Sequence, residues 1–531
     1  MSDAAAYRPS VNPWLIAVAV VVPTFMEVLD TSIANVALRY IAGGLSAAEN
    51  DSEWVITSYL AANAIVLPLS GWLSAHLGRR RYFLLSIFIF TIASGLCGMA
   101  GSLEELILFR IIQGLAGGGL QPSSQAVLLD SFPREKQGAA MTAFGIAALV
   151  APILGPTLGG YITDNWEWRW IFFINLPVGA FALAACFVLL EDPPYLKAQR
   201  AQLRSRPLSF DGIGLGLLAI TMVCWEVMLS KGQEWDWLGD PFGRIQVLLT
   251  GFLVAGVLFV WRQLRVANPV VSLRPLKDRN FVAASIIIFV AFGVLYGQTT
   301  TLPAMLQTLF GYDATTSGLV LSPAGVFAVV MLPIVGFLLG RGTDARWLVA
   351  GGLLCMAAGN YWLVLLNLEI SPFQVIWPRV VLIIGLSMLF APLNVSAYQT
   401  IPLHLRGAAV GLFSLLRNEG GSVGTSVAQT IRDRRLQHHT LRLNEFLDPF
   451  NPNLTDYWTT ARDGFLRQSG DPAGSAQMAW QGVSDKVQQQ ALSLAYFDVF
   501  WIFAVVALAL VVLVFFMRPS VAEKGAHLAA D

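Results

Sequence analysis

Residues 13–35 read PWLIAVAVVVPTFMEVLDTSIAN, an apolar run from Pro13 to Leu29 that then meets Asp30. About 20 predominantly apolar residues is the length at which a helix crosses the hydrocarbon of a bilayer. Arg8 is the one basic residue ahead of the run, and no obvious small-residue cleavage site follows it. The segment therefore reads as a retained first span rather than a signal peptide. The pattern recurs near 54–74, 83–101, 105–127, 138–160, 170–190, 211–229, 245–262, 281–303, 315–338, 347–366, 376–399, 407–430 and 496–517, giving fourteen expected spans. Composition agrees: 55% of the 531 residues are hydrophobic and 13% charged, against roughly 25% charged in soluble domains. Mean hydropathy is +0.61. A water-soluble, disordered or collagen-like chain is excluded, and the fold class is an all-α polytopic membrane protein.

The order of spans suggests a six-helix bundle over 13–190, a loop at 191–210, two additional transmembrane helices over 211–262, a loop at 263–280, and a second six-helix bundle over 281–517. Net charge is zero, from 34 basic and 34 acidic side chains, so nothing suggests a nucleic-acid surface. Where the charges lie is more informative. An even number of spans puts both termini on one side, together with Arg79, Arg80 and Arg81, Arg134 and Lys136, Lys197 to Arg206, and Arg262 to Arg279. The opposite short loops offer only Arg39, Arg169, Lys231, Arg244 and Arg379. Because basic residues accumulate on the cytoplasmic side, both termini are expected there. The four cysteines lie inside apolar runs as small hydrophobes and imply no disulfide framework.

An extended outer loop, 431–495, is the one sizeable polar feature. Leu436, Leu441, Leu443, Phe446 and Leu447 recur at helical spacing, so amphipathic helices are expected around 431–447 and 475–495. Docking a partner and capping the outer helix ends both fit it. A weak internal echo relates Gly71 to Arg81 with Gly336 to Arg346, glycine-spaced turns ending in arginines, as in transporters built from repeats.

Charges inside spans need partners or a watery cavity. Glu27 and Asp30 share a face of the first helix. Arg110 interrupts the fourth, and counting residues from the outer ends puts Asp30 and Arg110 at matching depth, at 1.5 Å per residue. An Asp30–Arg110 pair can form, either as a proton-sensitive lock or as a permanent bridge. Glu27, with no named partner, is a candidate for binding protons or cationic substrate. Glu226 sits in another apolar span. Arg417, Asn418 and Glu419 interrupt the thirteenth beside Gly420, Gly421 and Gly424, suiting either a cavity lining or an Arg417–Glu419 or interhelix bridge. Phe25, Met26, Tyr59, Tyr296 and Gln298 are cavity candidates because they lie beside polar interruptions. Most other aromatic rings read as interfacial anchors. Gly117-Gly118-Gly119 lacks the Lys-Ser/Thr ending of a phosphate loop. The histidines have no convincing metal spacing, and His438-His439 reads as solvated. No cofactor is expected.

Several ordered motifs resemble one family along nearly the whole chain. Leu29-Asp30-Thr31-Ser32-Ile33-Ala34-Asn35-Val36-Ala37, Gly71 to Arg81, Arg110-Ile111-Ile112-Gln113-Gly114, and Ala151-Pro152-Ile153-Leu154-Gly155-Pro156-Thr157-Leu158-Gly159-Gly160 are similar to motifs of the fourteen-helix drug/proton antiporters of the major facilitator superfamily, in particular its EmrB-type branch. The resemblance implies a major facilitator fold with 14 transmembrane helices, two six-helix bundles plus two extra helices. It implies export of hydrophobic or amphiphilic small molecules driven by proton entry across the bacterial inner membrane. A periplasmic membrane-fusion adaptor and, through it, an outer-membrane channel are the implied partners. Arg110 is associated with proton coupling in relatives, and Gly155, Pro156, Gly159 and Gly160 carry the antiport signature. Ala75 stands where relatives have aspartate, so a gating bridge through that position does not transfer. Gly71, Gly78 and Arg79 are left to organise the turn and contact membrane lipids. A specific metabolite or siderophore exporter, and a non-transporting receptor or scaffold, are the competing readings.

Overall fold

The computed structural model describes residues 11–133, 136–193, 196, 211–266, 269–369, 371–402, 405–448 and 450–519. Arg8, Arg134, Lys197, Arg200, Arg204, Arg206, His404, Pro449, Lys524 and His527, with most of the expected 191–210 loop, lie outside the described residues. No strand occurs among the described residues. The first bundle comprises α1 (Pro13–Gly44), α2 (Trp54–Val66), α3 (Ser70–Leu77), α4 (Arg79–Met99), α5 (Leu103–Gly117), α6 (Leu120–Ser131), α7 (Gln137–Asn165) and α8 (Asn175–Leu189). The extra hairpin is α9 (Gly212–Lys231) and α10 (Arg244–Arg265). The second bundle has α11 (Arg279–Phe310), α12 (Ala314–Leu321), α13 (Pro323–Gly340), α14 (Ala345–Val364), α15 (Pro372–Tyr398), α16 (Arg406–Asn444), α17 (Pro452–Ser469) and α18 (Pro472–Val514).

Local chemistry sets many of these ends. Side chains of Asn12, Ser102, Asp211, Asp278, Asp313, Asp344, Asn451 and Asp471 accept from the first backbone N–H groups of the helices they precede, which otherwise lack partners. Pro68 falls in the break between α2 and α3, where the axis bends by 58°, because proline carries no N–H to continue the ladder. The internal echo is visible in the backbone: Gly78 has φ +91° and Gly342 φ +90°. Each sits in the short connection from one span to the next.

Among the described residues, eleven helices are long and apolar enough to cross a membrane, twelve with the bent α2–α3 pair. The two other expected spans, 105–127 and 407–430, fall on α5–α6 and α16. The first is interrupted at Gly118 and Gly119, and the second carries charge. The expected outer loop is not a loop: α16 and α18 run on out of the bundle and α17 packs against α18. Lys231 and Arg379, expected in outer loops, are buried in α9 and α15.

In the first bundle α1 packs on α7 and α8; in the second, α11 packs on α16 and α14 on α15. The bundles meet where α7 lies against α12, α13 and α15, and where α16 lies against α3 and α6. The hairpin attaches through α9, which touches α2 and α16 and so sits in the seam between the bundles.

Candidate functional site

A cavity of about 310 Å³ opens where both bundles and the hairpin converge. Its wall includes Glu27, Thr31 and Asn35 of α1, Tyr59 and Asn63 of α2, Gln121 of α6, Glu226 and Ser230 of α9, Tyr296 and Thr300 of α11, and Asn418, Ser422 and Thr425 of α16. A chamber of this size, lined by polar side chains together with apolar ones such as Val28, Leu38, Ile56 and Leu60, falls at the small end of ligand sites.

Asp30 and Arg110 meet, although neither lines that cavity. Arg110 Nη1 lies 2.5 Å from Asp30 Oδ2, and both side chains are essentially inaccessible. Gln113 Nε2 at 3.0 Å and Asn175 Nδ2 at 2.7 Å donate to the other carboxylate oxygen. Arg110 also donates to the Val55 carbonyl at 3.1 Å, and its guanidinium lies 4.5 Å from the Tyr59 ring centroid. A buried ion pair repays its desolvation only when its remaining lone pairs and protons are satisfied; here Arg110 Nη2 alone lacks a partner.

Glu27 faces the cavity and is far from unpartnered. Tyr59 Oη (3.2 Å), Asn63 Nδ2 (3.1 Å) and Gln121 Nε2 (2.5 Å) donate to it. Gln121 Oε1 in turn accepts from Arg417 Nη2. An amide from the first bundle thus links an acid of that bundle to a cation of the second. Tyr59 joins the two charged sites, donating to Glu27 while its ring lies beside Arg110.

Arg417 does not pair with Glu419. Its guanidinium lies 5.5 Å and 5.6 Å from the Phe144 and Phe292 ring centroids. Glu419 instead accepts from Trp225 Nε1 at 2.7 Å. Tyr59, Glu226, Tyr296 and Asn418 line the cavity, whereas Phe25 and Met26 belong to the apolar core. Gln298 lies away from it, accepting from Arg379 and contacting Asn360. His439 is not simply solvated: its Nε2 lies 2.7 Å from Asp498, which also pairs with Arg435.

The motif residues sit on helix contacts. Pro156 has no N–H for the Pro152 carbonyl, and Ser32 Oγ donates to that oxygen instead, at 3.1 Å. Gly155 gives Ser32 the room to reach it, and Gly159 packs against Ile33. Gly160 faces the Ala314 backbone of the second bundle: an added Cβ would stand 2.8 Å from its carbonyl carbon. At the other end, a Cβ on Gly71 would stand 2.8 Å from the Gly407 carbonyl carbon. Gly78 turns the chain from α3 into α4. Arg79 pairs with Asp130 at the end of α6, inside its own bundle.

Sequence reasoning gave no role to Gln113, Asn175, Asn63, Gln121 or Asp130, and counted Arg379 with the outer loops. The available signal was an amide or arginine inside an apolar run, since a polar group at that depth must be hydrogen-bonded.

Comparison with known proteins agrees with this architecture. The Major Facilitator Superfamily model matches residues 21–425. The chain is 36% identical over 507 residues to the multidrug export protein EmrB of Haemophilus influenzae, covering 95% of this chain and 96% of that protein. It is 35% identical to the fatty acid resistance protein FarB of Neisseria gonorrhoeae, covering 94% and 95%. Among solved structures, the proton:xylose symporter XylE superposes with a TM-score of 0.57 at 14% identity, covering 96% of this chain and 97% of that one; this likeness speaks to the fold.

Proposed function

Because the chain belongs to the Major Facilitator Superfamily, with multidrug exporters among its relatives, we propose that it is a proton-driven multidrug exporter of the bacterial inner membrane working by alternating access. The observation that carries this reading is the Glu27–Gln121–Arg417 link, a carboxylate in the wall of a central cavity tied across the bundle interface. Cargo enters from the cytoplasm or inner leaflet, the bundles rock, and cargo leaves outward as protons arrive. Protonation of Glu27 weakens its hold on Gln121 and so its grip on the second bundle. Asp30 and Arg110 form the buried lock behind the same wall, with Tyr59 between. Neutral carboxyls lower the cost of returning the empty site through a low-dielectric barrier.

The cavity's apolar surface and its acids suit amphiphilic cargo, and the likeness to FarB extends that range to fatty acids. In this reading all fourteen spans cross the membrane, both termini are cytoplasmic, and α3 lies at the cytoplasmic end. The helical extension from Ile431 to Ala495 then projects into the periplasm, where it offers a docking surface for a membrane-fusion adaptor leading to an outer-membrane channel. In proteoliposomes, Asp30→Asn is expected to abolish gradient-driven export while folding and substrate binding stay measurable. Pumping at the original rate removes Asp30 from coupling.

A further inference from the structure

Along its outer half and the turn that follows it, α9 is stitched to α16. Trp225 Nε1 donates to Glu419 Oε2 (2.7 Å), Ser422 Oγ to Glu226 Oε1 (3.1 Å), Ser426 Oγ to the Leu229 carbonyl (2.7 Å), and Trp237 Nε1 to Thr430 Oγ1 (3.1 Å). Amid these bonds the carboxyl groups of Glu226 and Glu419 are set side by side across the seam, Glu419 bonded to Trp225, the residue before Glu226, and Glu226 to Ser422, one turn beyond Glu419. Both are buried, Glu226 at 3% and Glu419 at 6% exposure.

An ionised carboxylate only accepts hydrogen bonds. Two of them in contact cannot both be ionised unless a cation stands by, so this arrangement holds at least one proton between them. No cation does so among the described residues. From α16 itself, Arg417 is bonded to Gln121 and Arg432 to Asp433. From α9, Lys231 is held by Glu53, just ahead of α2, and by Glu234. The other titratable groups at this cavity are Glu27 of α1, Tyr59 of α2 and Tyr296 of α11, which supply no positive charge. From α10, Phe252 and two glycines lie against Trp225, Cys224 and Thr221, and Arg262 is paired with Asp211 at the far end of α9.

We propose that Glu226 and Glu419 form a proton-dependent clamp on the seam between the extra hairpin and the second bundle. One shared proton draws α9 and α16 together, and its loss sets two like charges side by side and parts them. Because α9 also packs on α2, the clamp joins the two bundles laterally and closes the cavity's flank. It is a titrating element separate from the Asp30–Arg110 lock. It rests on the exporter reading only for its place in the transport cycle.

The test reads the seam directly, without cargo or gradient. Nitroxide labels are placed on Leu238→Cys and Leu441→Cys, both exposed, in the full-length protein in nanodiscs after replacement of the four native cysteines. Electron-spin distance measurements then compare mildly acidic with mildly alkaline buffer. The label separation should lengthen in alkali for this protein and stay at its acid value in Glu226→Gln, whose amide donates to Glu419 at either pH. Glu419→Gln provides the same arm should Glu226→Gln fail to fold. An unchanged separation in the parent, or an equal lengthening in the glutamine variants, overturns the clamp. Neither result bears on whether Asp30 couples export, which the proteoliposome assay decides.

Discussion

Gly71→Ala perturbs the α3–α16 seam by one methyl group. The added Cβ would stand 2.8 Å from the Gly407 carbonyl carbon, 2.9 Å from its oxygen and 3.1 Å from the Ala408 nitrogen. All three are backbone atoms, which cannot swing aside as a side chain can. Ordinary contact requires the two helices to part by more than half an ångström, and overpacking of this kind costs about 1–3 kcal/mol. The cost applies only while the seam is closed. It should therefore shift the closed-to-open ratio by roughly 5- to 150-fold, at 1.4 kcal/mol per tenfold. A cysteine at Ala397, fully buried next to Tyr398, reports on opening, because Tyr398 Oη of α15 donates to Gln125 of α6 between the same two bundles at 3.4 Å. Its alkylation by a maleimide should accelerate by a similar factor. Gly407→Ala is the control: its Cβ would meet only Gly71 Cα, at 3.5 Å, and should leave the rate nearly unchanged. If the two variants behave alike, or if Gly71→Ala protects Ala397→Cys as well as the parent does, the steric reasoning fails.

Gln121→Leu should destabilise the protein by about 2–4 kcal/mol, since it strips partners from both Glu27 and Arg417 in a buried setting; a melting curve in detergent that matches the parent would contradict the bridge. Arg110→Leu should cost about 3–5 kcal/mol by leaving Asp30 buried without its counter-charge. Arg379→Leu should cost far less, because Arg379 is bonded to the neutral Gln298 and Thr299. Equal losses of thermal stability in these two arginine variants would refute the distinction.

The span pattern was legible because hydrocarbon imposes its own length and composition. The Asp30–Arg110 contact was legible for a related reason: two opposite charges at equal depth have little else to pair with. Arg379 was counted with the outer-loop charges because it stands near the start of the expected span 376–399; the helix begins earlier, at Pro372, which leaves it about two turns deep. In the structure Pro372 occupies the first turn of a helix capped by Ser371, where proline fits, and Pro378 lies within the same helix. The partners of Glu27 and the Glu226–Glu419 contact were not legible. Both depend on which helices become neighbours, and hydropathy is silent on that. The outer segment was expected to hold two amphipathic stretches, around 431–447 and 475–495. Instead Pro452 opens a third helix, α17, with Asn451 as its cap.

The 43 residues of α18 form one helix, about 64 Å long at 1.5 Å per residue. Hydrocarbon accounts for about 30 Å of that, leaving a stiff strut that protrudes by about the same distance again. The Asp498 contacts to Arg435 and His439 brace it against α16, and no proline interrupts either rod. The protrusion therefore behaves as a lever fixed to the second bundle, its tip travelling about 0.6 Å for each degree that bundle tilts. Anything seated on that tip is carried by the second bundle's motion and not by the first's.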